Sequence, residues 1–176
     1  MLPDVLAPGL RIVFCGTAAG TESARRRCYY AHPQNKFWRT LFEIRLTDRL
    51  LDCSEFAALP QFGAGLTDIA KHTSGMDKDL TNEQLGRVAC RAMEAKILAC
   101  APKILAFTSL NAGRRYLASL TEGRRNPSGD AGFGEQQETI GATRIWLLPS
   151  PSPAANWNWA ANAKWWFALA MAAGAR

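Results

Sequence analysis

This sequence predicts an α/β protein of three layers (α/β/α), with a central four-stranded parallel sheet and helices on both faces. Three observations carry that reading. Four short apolar runs, 11–15, 62–69, 103–107 and 143–148, have the length of strands and are bounded by turn residues. Helical patterns at 36–46, 81–100, 111–120 and 158–173 alternate with them, and strands joined by helices lie parallel in one sheet. Each run also ends in small, hydroxylic or acidic residues, and ligands of such sheets gather at the C-terminal strand ends. The 176 residues suit a single domain, 1–176, with a real core.

The first strand, Arg11 to Cys15, runs into Gly16-Thr17-Ala18-Ala19-Gly20, where backbone can come close to a ligand. A basic loop follows with Arg25, Arg26 and Arg27, then Tyr29-Tyr30 and His32-Pro33-Gln34-Asn35. A helix begins at Lys36 and sets Phe37, Leu41, Phe42 and Ile44 largely on one side. Asp52 starts a short helix that should end before Pro60. The second strand carries Asp68 near its end. Thr81 or Asn82 caps the clearest helix, whose expected apolar face is Leu85, Val88, Ala89 and Ala92. Thr108-Ser109 closes the third strand, and a helix over Asn111–Leu120 returns. Thr121–Gly141, rich in glycine, reads as a surface loop. The fourth strand leads straight into Pro149-Ser150-Pro151-Ser152-Pro153. The final Trp-rich helix is closed by Gly174, and its Trp165, Trp166 and Phe167 read as core.

A net charge of +6 and a pI of about 9.3 favour an anionic partner, of which nucleic acid is the commonest. The five cysteines are odd in number, none spaced CxxC, and there are two histidines. That argues against a disulfide framework, a zinc site or a four-cysteine iron–sulfur cluster, so no metal and no cofactor is expected. No apolar run reaches the ~18 residues of a membrane span, and residues 1–9 lack a signal peptide's basic start and apolar core. The expectation is a cytoplasmic, nucleoid-associated monomer with reduced thiols.

Three segments are more specific when taken together. GTAAG, a spacer and YYAHPQNKFW form the first, GAGLTD the second, and LPSPSP the third. This pattern resembles the uracil-DNA glycosylase superfamily over roughly residues 10 to 170. The mismatch-specific uracil/thymine branch carries G-I-N-P-G, a spacer and F-A-H-P-x-N-x-F-W. The hypoxanthine branch, with Y-Y-A-H-P-x-N-x-F-W, is similar to the second half. The third segment resembles H-P-S-P-L-S of the uracil enzymes and M-P-S-S-S or L-P-N-P-S of the mismatch branch. The resemblance implies a DNA repair enzyme that flips a damaged base out of the duplex and hydrolyses its N-glycosidic bond, leaving an abasic site.

The resemblance also implies roles, with two departures. Ala18 stands where the motif usually carries the Asp or Asn that holds the water. Leu148 stands where the uracil enzymes carry the His that supports the leaving base. Water positioning then falls to Asn35 or Asp68, and Asp68 could also act as a base or face the edge of the extruded base. Backbone N–H groups in the turn of Gly16, Thr17, Ala18 and Ala19 would bind the base oxygen, and Tyr30 would stack on the ring. Arg25, Arg26, Arg27, Ser109, Ser150 and Ser152 would grip phosphates. Ala154, at the usual wedge position, is too small to plug the duplex, so Asn156 or Trp157 would substitute. The small Ala18-Ala19 floor would admit a purine, so hypoxanthine is expected beside uracil. Two other readings stay open: a damaged-DNA or abasic-site binding protein with little or no activity, and a small hydrolase or nucleotide-binding protein reusing the fold.

Overall fold

The computed structural model describes residues 2–71, 86–120 and 132–174, apart from the side chains of Asn156 and Trp157. In chain order the elements are β1 (Ile12–Gly16), α1 (Thr21–Arg26), α2 (Phe37–Glu43), a 3-10 stretch (Cys53–Phe62) and β2 (Ala64–Asp68). Then follow α3 (Arg87–Cys100), β3 (Ile104–Phe107), α4 (Leu110–Leu120), β4 (Gly134–Ile140) and β5 (Thr143–Leu147). A second 3-10 stretch (Pro153–Asn158), α5 (Trp159–Asn162) and α6 (Lys164–Ala172) complete the chain.

The sheet has five strands in the order β2-β1-β3-β5-β4, not the four expected. The four predicted strands are mutually parallel, and β4 joins antiparallel to β5 at the edge. β4 falls inside the segment expected to be a loop. Its middle, Glu135-Gln136-Gln137-Glu138, is polar because most of that strand faces water, so no apolar run betrays it. Gly141, at φ 58, opens the two-residue turn to β5, as hairpins of this length require. Arg144 and Glu135 then pair across the two strands at 2.5 Å.

Side chains leave the sheet alternately, and both faces are covered. Ile12 and Phe14 of β1, Leu66 of β2, Ala106 of β3 and Trp146 of β5 pack with Phe37 and Leu41 of α2 and Trp166 of α6. Val13, Cys15, Leu105, Phe107 and Ile145 pack on the other side with Met93 and Ile97 of α3 and Tyr116 of α4. The three expected layers are therefore present. Strands buried on both faces read as continuous apolar runs, which is why the sequence reveals them.

Several local expectations change. The three arginines do not lie in a loop: Arg25 and Arg26 form the last turn of α1, and Arg27 caps it in the left-handed conformation, φ 55. The segment after Asp52 does not stop before Pro60. Asp52 and Glu55 form a reciprocal capping box, and the 3-10 stretch continues through Pro60 to Phe62. Val88 is 83% exposed rather than core, and α3 instead buries Cys90, Met93, Ile97 and Cys100. The expected N-terminus of that helix, with Leu85, lies outside the described residues. Phe42 is half exposed despite sharing α2 with buried Phe37 and Leu41. The last helix is broken into α5 and α6 at Ala163, and of its aromatics Trp166 is buried while Phe167 is half exposed.

All five cysteines are buried and none is in a disulfide. Cys28 and Cys53 face one another with their sulfurs 2.7 Å apart, and burial together with that contact pushes the Cys28 thiol up to about 12. Among the described residues no helix is long and apolar enough to cross a membrane, and no three His, Cys, Asp or Glu residues gather as a metal site.

Candidate active site

The C-terminal ends of the four parallel strands bring the suspected segments into one row. Gly16 is level with Asp68, Cys15 with Phe107, and Phe107 with Leu147. Thr108 N donates to Cys15 O at 3.0 Å, and Leu148 N donates to Phe107 O at 2.9 Å. The turn after β1, Asp68, Thr108-Ser109 and the Ser-Pro loop thus leave the sheet side by side.

Asp68 is buried, with 4% of its surface exposed. Its nearest constraint is Gly16, since a Cβ there would lie 2.5 Å from Asp68 Oδ1. The glycine is therefore needed to make room for the carboxylate, not for an unusual φ. Two backbone bonds fix the turn beyond it: Ile69 N to Gly16 O, 3.0 Å, and Ala70 N to Thr17 O, 2.8 Å. Burial raises the Asp68 carboxyl from its ordinary 3.8 to about 6, with the Lys71 charge opposing the rise and Asp4 adding to it. That carries this carboxyl close to neutrality. A group balanced between its two protonation states is suited to proton transfer.

Tyr30 stands over the same place. Its hydroxyl oxygen would be 3.7 Å from a Cβ on Gly16 and is 3.1 Å from Thr108 Oγ1. Thr108 Oγ1 is also 3.3 Å from Cys15 O, to which it donates, so Tyr30 supplies the hydrogen of the Tyr30–Thr108 bond. One face of the Tyr30 ring stacks on Phe37, with centroids 3.8 Å apart and planes 18° apart. Tyr30 also holds φ 53, which costs a non-glycine residue about 1–3 kcal/mol. Its neighbours impose this. Trp38 Nε1 donates to Tyr29 O at 3.0 Å, Arg26 Nη1 to Ala31 O at 2.9 Å, and Ala31 N to Ser23 Oγ at 3.1 Å. Burial, and then the Asp68 charge, raise the Tyr30 phenol far above its usual value, so it stays neutral.

Asn35 is half-buried, and its Oδ1 accepts from Phe37 N at 2.9 Å, tying the start of α2. That bond employs the side-chain oxygen; the amide Nδ2 is its donor. Lys36 N donates to Pro151 O at 3.0 Å, which joins the first segment to the Ser-Pro loop. Pro149 O accepts from buried Trp166 Nε1 at 3.1 Å, anchoring that loop on the core. Ser150 Oγ accepts from Ser152 N at 3.2 Å, and both serines are half-buried. Ser109 Oγ accepts from Ala112 N at 3.1 Å and so caps α4. Arg25 pairs with Glu22 at 2.5 Å, Arg26 reaches Ala31, and all three arginines are exposed. Thr17 is buried. Ala18 and Ala19 do not form one floor: Ala18 packs on the α3–α4 side, while Ala19 packs on the Tyr30–Phe37 side. Ala154 is exposed, and the Asn156 and Trp157 side chains lie outside the described residues.

Sequence reasoning passed over Asp4 and Lys71 as members of the site, and it placed Thr108 at a strand end without its bond to Tyr30. Lys71 Nζ lies 3.7 Å from Asp68 Oδ2 and 2.7 Å from Asp4 Oδ1. The Asp68–Lys71 spacing of three was visible. Asp4 is 64 positions from Asp68, and no local pattern connects them.

The sequence model of the uracil DNA glycosylase superfamily matches residues 3–173.

Proposed function

The chain belongs to the uracil DNA glycosylase superfamily, and from that premise we propose a monofunctional DNA glycosylase acting on uracil and on deaminated purines such as hypoxanthine. Members of the superfamily are DNA glycosylases, hydrolases of base-excision repair. The finer reading concerns which bases leave and which residues remove them. One observation carries it: a buried carboxylate seated over Gly16 beside Tyr30, whose ring is backed on one face by Phe37.

The chemistry follows from those groups. A base flipped out of the duplex stacks on the Tyr30 ring opposite Phe37, which is the rigid layer behind. Water attacks C1′ of the deoxyribose as the C1′–N bond breaks, through an oxocarbenium-like state. The bonding pair leaves with the base, and backbone N–H groups of residues 17 to 19 hydrogen-bond its oxygen. Ionised Asp68 accepts from the attacking water and takes its proton, while Asn35 Nδ2 donates toward the water or the base. The departed base anion takes up a proton, Asp68 releases the one it took from water, and the products are the free base and an abasic sugar. Asp68, acceptor-only when ionised, also suits the ring N–H that uracil and hypoxanthine share. Arg25, Arg26, Arg27, Ser150 and Ser152 hold the backbone of the DNA, and Asn156 or Trp157 fills the gap left by the extruded base.

The monofunctional reading has a physical support. A lyase step needs a nucleophilic amine, and Lys71 is the amine nearest Asp68 among the described residues. Its ammonium is surrounded by Asp4 Oδ1 at 2.7 Å, Leu2 O at 3.1 Å and Tyr29 Oη at 2.5 Å. Each of the three N–H groups has an acceptor within reach, so the amine is held in these contacts and is not free to attack an aldehyde. We read the protein as one domain acting as a monomer.

The test is a single duplex carrying one uracil, incubated with the protein and split in two. Breakage only after alkali shows base removal without lyase action. A gel shift with no alkali-labile site means binding alone, and breakage without alkali means a lyase.

A further inference from the structure

Four elements converge behind Asp68, and Lys71 is where they meet. Its side chain is 9% exposed, and its ammonium is held by the N-terminal segment through Leu2 O and Asp4, and by Tyr29. Asp4 is itself fixed from two further sides. Lys96 of α3 donates to Asp4 Oδ2 at 2.7 Å, and Thr67 of β2 donates to Asp4 Oδ1 at 2.7 Å. Asp68 is left 3.7 Å from the same ammonium, near enough to feel its charge and too far for a hydrogen bond. Two carboxylates therefore compete for one buried cation, and Asp4 holds the closer place.

That distance matters chemically. A carboxylate bonded directly to an ammonium is a weak base, because the cation stabilises its ionised form. A carboxylate buried with no cation nearby would stay protonated at neutral pH. We propose that Lys71 is a positioning residue, held off Asp68 by Asp4, and that this Asp4–Lys71 pair sets the pH at which Asp68 becomes an active acceptor. The inference rests on the reading of Asp68 as the acceptor in the site.

Among the described residues the groups facing Asp68 are Lys71, Asp4, Lys96, Tyr29, Tyr30 and Cys15. Burial raises both phenols and the Cys15 thiol, so these three remain neutral wherever Asp68 titrates. The charged set is then the two lysines and Asp4. Burial works against ionisation of Asp4, but its bonds from Lys71, Lys96 and Thr67 outweigh that and hold it below the ordinary carboxylate value. Asp4 stays ionised throughout the range in which Asp68 changes charge.

The two partners predict opposite shifts. Lys71→Met removes the cation and should raise the Asp68 midpoint by about one pH unit or more. Asp4→Asn removes a like charge and frees the ammonium to close on Asp68, so the midpoint should fall. Protein carrying ¹³C at the aspartate carboxyl carbons, titrated by NMR in wild type and both variants, reads the midpoint without any DNA. Asp68→Asn assigns the signal. The acid limb of single-turnover base excision should move in the same two directions by matching amounts. Shifts in one common direction, or no shift in either variant, overturn the proposal. If Lys71→Met does not fold, Asp4→Asn decides alone, and a midpoint that rises or stays put refutes it. Full activity of Asp68→Asn would instead sink the assigned role of Asp68 while leaving the NMR result to stand on its own.

Discussion

Gly16 and Asp68 are level neighbours on β1 and β2, and the glycine hydrogen occupies the space that lets the carboxylate exist there. A Cβ on Gly16 would lie 2.5 Å from Asp68 Oδ1, inside any tolerable contact. Gly16→Ala should therefore turn Asp68 away from Tyr30 and abolish base excision. The protein should still fold, because the atom displaced is the tip of a side chain and not backbone. Circular dichroism together with a single-turnover assay checks this. Wild-type rates in Gly16→Ala would show that the position of Asp68 does not matter.

Asp68 should make the protein less stable at neutral pH than it need be. Its folded carboxyl is raised from 3.8 to about 6, so the folded state binds the proton more tightly than the unfolded chain does. The stability from that proton is complete below 3.8 and is lost as pH rises through about 6. A shift of this size corresponds to roughly 3 kcal/mol at most. Asp68→Asn should be more stable than wild type at pH values well above that midpoint, with the gap closing as the solution is acidified. Urea unfolding at a series of pH values measures it. A gap that grows toward acid would mean the carboxyl is not raised.

Tyr30 should act through its ring. Tyr30→Ala should lose about 1–3 kcal/mol of the stabilisation of the flipped state, the usual worth of one stacked base. Tyr30→Phe keeps the ring and its stack on Phe37 but gives up the hydrogen bond to Thr108, and should be nearly neutral. A 2-aminopurine reporter beside the target base reads the flipped population. Equal losses in the two variants would assign the role to the hydroxyl or to packing, not to stacking.

The three arginines should bind DNA without reading its sequence. They are exposed on and just after α1, Arg25 paired with Glu22 and Arg26 donating to Ala31 O. Replacing Arg25, Arg26 and Arg27 together with Gln should weaken binding to all duplexes alike and flatten its dependence on salt. Arg27→Gln alone should carry part of that effect with the least disturbance, since Arg26 also ties down Ala31. An unaltered salt slope in the triple variant would remove these residues from the interface.

Much of this arrangement is legible in the sequence, for identifiable reasons. β1, β2, β3 and β5 are buried on both faces, so they stand out as apolar runs, and the turns after them mark the strand ends. β4 is hidden because Glu135 to Glu138 are polar on an edge, and its glycine turn resembles loop composition. Asp68 and Tyr30 are visible within ordered motifs. What gives them their chemistry is not visible, because Asp4, Lys96 and Thr108 reach the site through pairings across the fold. The apolar stripe of α3 is misread around Val88 because small residues such as Ala89 and Ala92 blur which side is buried. Ala18 and Ala19 look like one floor in the sequence, yet the turn after β1 packs them against opposite layers.

The central claim is that Asp68 accepts from water, or from the N–H edge of the base, in a site open to more than uracil. Single-turnover cleavage of duplexes carrying one uracil or one hypoxanthine, by wild type, Asn35→Ala and Asp68→Asn, tests it most directly. Wild type should cleave both, and Asp68→Asn should lose ~10²-fold or more on both, the usual scale for a positioned acid–base group. Loss on one base with the other preserved would place Asp68 in recognition instead of water activation. Asp68→Asn rates equal to wild type on both duplexes, with their ratio unchanged, would contradict the account.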